Sequence, residues 1–226
     1  MKIINAPSLA NCSFLEMGSQ VEQLAKGKAD WFHIDLCDGH YVPNILFSPA
    51  IVWELKAAYP EIPVDVHLMT IDPASYISRL AYLGADYISF HLDAERFARR
   101  LITNIHGHGI KAGVIINPSQ RIDLLQPVID MVDYVVLMTV EPGFAGQKFM
   151  PQAIPRLAEL VDLRKQSGRD FLISIDGGVD MENAVKCAKL GAEIYITGIF
   201  TVFKQPEGLE QACLNFKEKV INGCKS

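Results

Sequence analysis

The feature that most constrains this chain is an alternation. Short runs rich in Val, Ile, Tyr and Phe occur at Lys2–Asn5, Trp31–Leu36, Val64–Leu68, Tyr87–His91, Ala112–Ile116, Tyr134–Met138, Leu172–Ile175 and Ile194–Thr197. Between and after them lie longer segments with apolar residues three and four apart: "FLEMGSQVEQLAKG", "PAIVWELKAAY", "PASYISRLAYLG", "AERFARRLITNIHGHG", "RIDLLQPVID", "PQAIPRLAELVDLRKQSG", "MENAVKCAKLG" and "PEGLEQACLNFKEKVING". The first period predicts strands, and the second predicts amphipathic helices. Several helices run into a Gly, a frequent C-terminal cap.

Strands that read as nearly continuous apolar runs belong in a parallel sheet covered by helices. The β-then-α units fill a chain of 226 residues, close to the roughly 250 typical of a (β/α)8 barrel. The expected fold is therefore α/β, a single (β/α)8 TIM barrel spanning residues 1–226. "LGADYISFH" and "LGAEIYITG" repeat one helix–turn–strand pattern half a barrel apart, which supports this reading. An open doubly wound sheet uses the same alternation, but "NAPSLANCSF" lacks the G-x-G-x-x-G turn that usually follows its first strand.

In such a barrel, functional groups sit at the C-terminal strand ends. Read in order, these carry Ser8, His33 with Asp35, His67 with Met69, His91, Asn117, Met138, Asp176 and Gly198. His33 and Asp35 are two residues apart and so face the same way, into the barrel. A lone strand histidine is usually a hydrogen-bonded core residue. Two imidazoles and two carboxylates at one height instead suit a borderline divalent ion. The glycine-bearing turns "EPGFAGQ", "DGGV" and "TGIF" follow the last three strands, where barrels often hold phosphate through backbone amides. Met69 and Met138 are either core filler or the soft lining of a dry pocket.

These residues, with the motifs "APSLA", "HIDLCDGHYVPN", "DVHLM", "GADYISFH", "INPSQ", "LMTVEPGFAGQKF", "IDGGV" and "GAEIYITG", resemble the ribulose-phosphate 3-epimerase family over essentially the whole chain. The resemblance implies a TIM barrel of the ribulose-phosphate-binding type and an isomerase that inverts C3 of a ketose phosphate through a metal-stabilised 2,3-enediolate. It implies His33, Asp35, His67 and Asp176 as ligands of one divalent metal per subunit, zinc first, with manganese, iron or cobalt as alternatives. It further implies Asp35 and Asp176 as the catalytic acid/base pair. Substrate contacts would come from Ser8, His67, Met69, Met138, Gly143, Phe144, Ala145, Gly146, Gly177, Gly178, Gly198 and Ile199, under a closing "PGFAGQKF" loop.

Departures from the family pattern refine the expectation. Cys37 stands where Met is common, Ile199 where pentulose-phosphate members usually carry Ser, and "FAGQ" replaces the double-glycine form. Together with "LAELVDLRKQSGRDF" they read closest to the D-allulose-6-phosphate 3-epimerase branch. The expected reaction is thus D-allulose 6-phosphate to D-fructose 6-phosphate, with D-ribulose 5-phosphate to D-xylulose 5-phosphate as the alternative. A phosphosugar lyase or aldolase and a non-catalytic phosphosugar-binding protein are the rival readings. No lysine stands at these strand ends to form a Schiff base.

Composition narrows the partners. Lys+Arg number 21 against 26 Asp+Glu, for a net charge of −5, which argues against nucleic acid. Five scattered cysteines without a Cys-x-x-Cys pair argue for a reducing, cytoplasmic setting rather than a disulfide framework. No segment approaches the roughly 20 apolar residues of a membrane helix, so no membrane partner is expected. The family resemblance adds a homo-oligomer, either dimer or hexamer.

Overall fold

In a computed structural model describing residues 1–225, nine strands form one sheet. They are β1 (Ile4–Pro7), β2 (Phe32–Asp38), β3 (Ile45–Leu46), β4 (Val64–Met69), β5 (Tyr87–His91), β6 (Lys111–Ile116), β7 (Tyr134–Met138), β8 (Leu172–Asp176) and β9 (Ile194–Thr197). The order is β1-β9-β8-β7-β6-β5-β4-β2-β3. All pairs are parallel except the short hairpin β2–β3. The ring closes between β1 and β2 through a parallel bridge at Ser8 and His33 and through Asn5 O, which accepts from Asp30 N and Trp31 N at 2.9 and 3.3 Å. The eight parallel strands are the staves of a (β/α)8 barrel, and β3 is a flap on its rim.

The period of two sorts each strand between two environments. On β2, Phe32, Ile34 and Leu36 point outward into the layer between sheet and helices, as do Val64, Val66 and Leu68 on β4. That layer is the larger core. Inside the barrel a second cluster joins Ile4, Ala6, Trp31, Ile115, Tyr134, Val136, Met138, Ile194 and Ile196. On β2, β4 and β5 the inward positions are polar instead, with His33, Asp65, His67, Ser89 and His91 all buried.

Among the described residues, seven α-helices cover the outside: α1 (Met17–Lys26), α2 (Ala50–Ala58), α3 (Ile77–Leu83), α4 (Ala98–Gly107), α5 (Ala153–Ser167), α6 (Met181–Leu190) and α7 (Leu209–Lys225). α3, α5 and α6 end on Gly84, Gly168 and Gly191 in the left-handed conformation, as their sequences predict. Among the described residues, none is long and apolar enough to cross a membrane.

Two expectations need correction. The segment "RIDLLQPVID" is not an α-helix but a 3-10 turn at Ile122–Leu125 followed by further tight turns. Pro127 has no N–H with which to continue the ladder, and the chain turns instead through Gln126 N to Asp123 O and Val128 N to Leu125 O. The first strand starts two residues later than expected, where Ile4 meets Ile194 of β9.

The N-terminal ends of the strands repeat one device. Asp30, Asp86, Asp133 and Glu193 each precede a strand and accept the backbone N–H of Asn5, Val64, Ala112 and Ile173 on the neighbouring strand, at 2.8, 2.8, 2.9 and 2.9 Å. Each also pairs with one cation, respectively Lys217, Lys56, Lys111 and Arg164, at 2.7 to 3.0 Å. The sequence echo at Leu83 and Leu190 contains two members of this set. The structure extends it to alternate strands around the ring.

Candidate active site

At the C-terminal mouth, parallel register places Asp35 beside His67 and, one rung below, His33 beside Asp65. Asp176 ends β8 and enters from another side, with β9 and β1 between it and β2. One ligand-type atom from each of His33, Asp35, His67 and Asp176 lies within 4.8 Å of the others. His33 Nε2 stands 3.4 Å from Asp35 Oδ1 and 4.0 Å from Asp176 Oδ2. His67 Nδ1 stands 3.5 and 3.2 Å from the same two oxygens. Both nitrogens are buried without a hydrogen-bond partner. Buried polar atoms are rarely left unpaired, and lone pairs converging with two carboxylates fit a divalent cation. The four residues can therefore hold a metal ion.

The electrostatics agree. Burial alone would push the Asp35 carboxyl up, but His33, His67 and the Ser8 hydroxyl outweigh it and hold the group at about 2. Ser8 Oγ donates to Asp35 Oδ2 at 2.6 Å. Burial would likewise depress the His33 imidazolium, yet Asp35 and Asp65 raise its pKa well above the ordinary histidine range. The two carboxylates thus favour positive charge at the mouth, which a bound cation would supply.

Each histidine is backed differently. His33 Nδ1 meets Asp65 Oδ2 at 2.7 Å, and Asp65 Oδ1 accepts from Tyr134 Oη at 2.6 Å. His67 Nε2 meets His91 Nε2 at 2.8 Å. The ring of His91 packs 4.5 Å from that of Tyr41, and burial beside His67 holds its pKa well below normal.

Above the cluster a cavity of about 340 Å³ opens to solvent. Its walls include Ser8, Asp35, His67, Met69, Met138, Gly143, Phe144, Ala145, Gly146, Asp176, Gly177, Gly178, Gly198 and Ile199. The residues that the resemblance implied therefore meet at the mouth, with His33 beneath the floor, fully buried. His91 and Asn117, also read at strand ends, stand outside the cavity wall, His91 behind His67 and Asn117 donating to Tyr41 Oη at 2.7 Å. Met69 and Met138 are buried against the cavity, and Cys37 Sγ lies 3.9 Å from Met69 Sδ. Burial, with Asp35 and Asp38 nearby, pushes the Cys37 thiol up to about 12, so it is packed sulfur and a poor nucleophile.

The turn after β7 arches over one side. Asn44 Nδ2 donates to Gly143 O at 2.8 Å, tying it to the loop after β2, while Gln147 Nε2 closes it on Glu141 O and Phe144 O. Gly177 and Gly178 lie below that turn with positive φ. A Cβ on Gly178 would stand 2.5 Å from Gln147 O, so only glycine lets these two turns nest. At Gly198 the chain enters a π turn, Ile199–Phe203, whose first amides have no partner within the turn itself. Asn11, Asn44, Phe14 and Val140 also line the cavity. They carry no strand-end pattern and were not foreseen. Asp65 was overlooked although it sits two residues before His67 and so must share its inward face.

Fold and site define a barrel whose mouth opens on a small-molecule cavity beside a cluster that could hold a cation. Comparison with known proteins narrows this class. The model of the ribulose-phosphate 3 epimerase family matches residues 4–202. Ribulose-phosphate 3-epimerase of Bacillus subtilis (strain 168) is 41% identical over 194 residues, covering 85% of this chain and 89% of the relative. The enzyme of the same name from Escherichia coli (strain K12) is 35% identical over 202 residues, 89% of each chain. Among solved structures, 3-hexulose-6-phosphate synthase from Salmonella typhimurium aligns with a TM-score of 0.73 at 15% identity, over 99% of this chain and 100% of that one. This last likeness is one of fold alone. The chain belongs to the ribulose-phosphate 3-epimerase family, and it is an isomerase acting on carbohydrate phosphates.

Proposed function

We propose that the protein is a metal-dependent ketose-phosphate 3-epimerase, one catalytic domain over residues 1–226, converting D-ribulose 5-phosphate to D-xylulose 5-phosphate. The observation that carries this reading is the approach of two carboxylates, Asp35 on β2 and Asp176 on β8, to one cavity from different sides around two buried imidazole lone pairs. The pentulose is favoured by the names of the relatives.

Inversion at C3 requires a proton to leave one face and another to arrive on the opposite face. One aspartate takes the C3 proton while the other delivers one, and the roles exchange in reverse. His33, Asp35, His67 and Asp176 would hold a cation, which when bound would supply positive charge where negative charge develops on the substrate oxygens. Ser8 orients Asp35 through their 2.6 Å hydrogen bond. Amides of the glycine turns at Gly177, Gly178, Gly198 and Ile199 receive the phosphate, and the Gly143–Gly146 turn covers the sugar and excludes water. Met69 and Met138 give the reacting carbons a dry wall.

A second reading, D-allulose 6-phosphate as substrate, is favoured by Ile199, an apolar side chain at the phosphate end of the cavity. Neither relative above carries that name. The deciding experiment incubates zinc-replete protein in deuterated water with each sugar phosphate and follows C3 by NMR. Deuterium at C3 together with the inverted epimer, faster for the pentulose, is the expected result. Faster turnover of the hexulose would reverse the substrate assignment, and no exchange in either would overturn the epimerase reading.

A further inference from the structure

Proton transfer, as described above, leaves one buried group unused. Asp65 is 1% exposed and sits below the cluster, where it touches no part of the cavity. Both of its oxygens are committed, Oδ2 to His33 Nδ1 at 2.7 Å and Oδ1 to Tyr134 Oη at 2.6 Å. Tyr134 in turn has little freedom. Its ring lies over Gly113 of the neighbouring strand β6, where a Cβ would stand 2.4 Å from the phenol carbon. Trp31 and Tyr87 meet the ring edge-on at 6.4 and 5.8 Å.

We propose that Asp65 and Tyr134 are a positioning pair: they hold the His33 imidazole with a proton on Nδ1 and its Nε2 lone pair turned into the cluster, and so set the cluster's affinity for a divalent cation. A carboxylate can only accept hydrogen bonds, whereas a buried phenol hydroxyl needs an acceptor. With Tyr134 donating to one oxygen, the other faces Nδ1 and leaves the proton no alternative site on that side. Nε2 is then the nitrogen left to face the cluster, where it has no hydrogen-bond partner. A hydrogen-bonded carboxylate behind a ligating imidazole also raises its basicity. The two imidazoles of the cluster are consequently unequal, because His33 is backed by a carboxylate and His67 by the ring of His91. The proposal rests on the cluster being a cation site, as read above.

The test measures zinc(II) affinity by chelator competition for the wild-type protein, Asp65→Asn and Tyr134→Phe, with long-range proton–nitrogen NMR of the His33 ring in each metal-free protein. Expected is a 10–100-fold weaker affinity in Asp65→Asn and a smaller loss in the same direction in Tyr134→Phe. The His33 Nδ1 proton should resonate far downfield in the wild type and move upfield in both variants. Affinities within twofold of wild type and an unmoved Nδ1 proton would overturn the proposal, even if both variants melt at lower temperature, since that is a purely structural role. If Asp65→Asn fails to fold, Tyr134→Phe decides alone. Failure of the wild type to bind zinc would overturn the cation-site reading instead, and the ring NMR would still decide whether Asp65 and Tyr134 fix the imidazole.

Discussion

The two ends of the barrel use the same residue type in opposite ways. At the N-terminal end, Asp30, Asp86, Asp133 and Glu193 are each neutralised by a Lys or Arg and saturated by a backbone amide. At the mouth, Asp35 and Asp176 face imidazoles, and among the described residues neither pairs with Lys or Arg. A carboxylate tied to a fixed cation and an amide is bound into the frame. One opposed only by titratable rings keeps its charge available for a cation or a proton. The difference between the ends is therefore a difference of partners, and it separates stability from reactivity along the barrel axis.

That separation breaks first, and most visibly, at the mouth. Asp176→Asn is expected to lower kcat about 10³-fold, the middle of the range for a lost acid/base group, without loss of stability in the metal-free protein. Steady-state kinetics beside thermal melting checks both halves, and a variant that unfolds readily would mean that Asp176 belongs to the frame after all. Glu193→Gln should do the reverse. Its pair with Arg164 is four-fifths buried or more, so loss of the charge should cost about 2 kcal/mol, or roughly 4–8 °C in melting temperature for a chain of this size. The kcat of this variant should match the wild type.

The smallest effect is one of pH. Burial pushes the Asp133 carboxyl up, but Lys111, the Ala112 amide and His106 outweigh it, so its folded pKa lies below the ordinary 3.8. A depressed carboxyl contributes stability that is complete above its unfolded pKa and lost as pH falls through the folded one. Asp133→Asn should therefore be less stable than wild type at neutral pH by about 1 kcal/mol, with the gap narrowing below pH 3.8. Denaturant titrations at stepped pH would show it, and a gap independent of pH would remove Asp133 from the set of charged clamps.

Much of the mouth was legible in the sequence because barrel geometry converts a strand's last inward residues into a site. His33-x-Asp35 and His67 could be placed from alternation alone, and the glycine turns from their position after the last strands. Their assignment to a particular reaction came from the resemblance. Asp65 was hidden by its own context, since "VDVHLM" draws the eye to His67 and the partners of Asp65, His33 and Tyr134, lie on other strands. The charged clamps were half visible as a repeat, but their amide partners are set by register between strands, which one strand's sequence does not state. The helix expected after β6 failed on a single residue, Pro127, whose missing N–H outweighed a good apolar pattern. Asn11 and Asn44 stand in loops whose path over the cavity depends on the closed ring.

The bridge between Ser8 and His33 is the narrowest join in that ring, since β1 and β2 share little else but the bonds to Asn5. The hydroxyl of Ser8 reaches across the same join to Asp35. Transient parting of these two strands would thus pull the Ser8 hydroxyl off the Asp35 carboxylate. Amide exchange along this seam and the lifetime of the Ser8–Asp35 contact are then expected to report one opening event, so that the barrel's seam and its mouth would keep one clock.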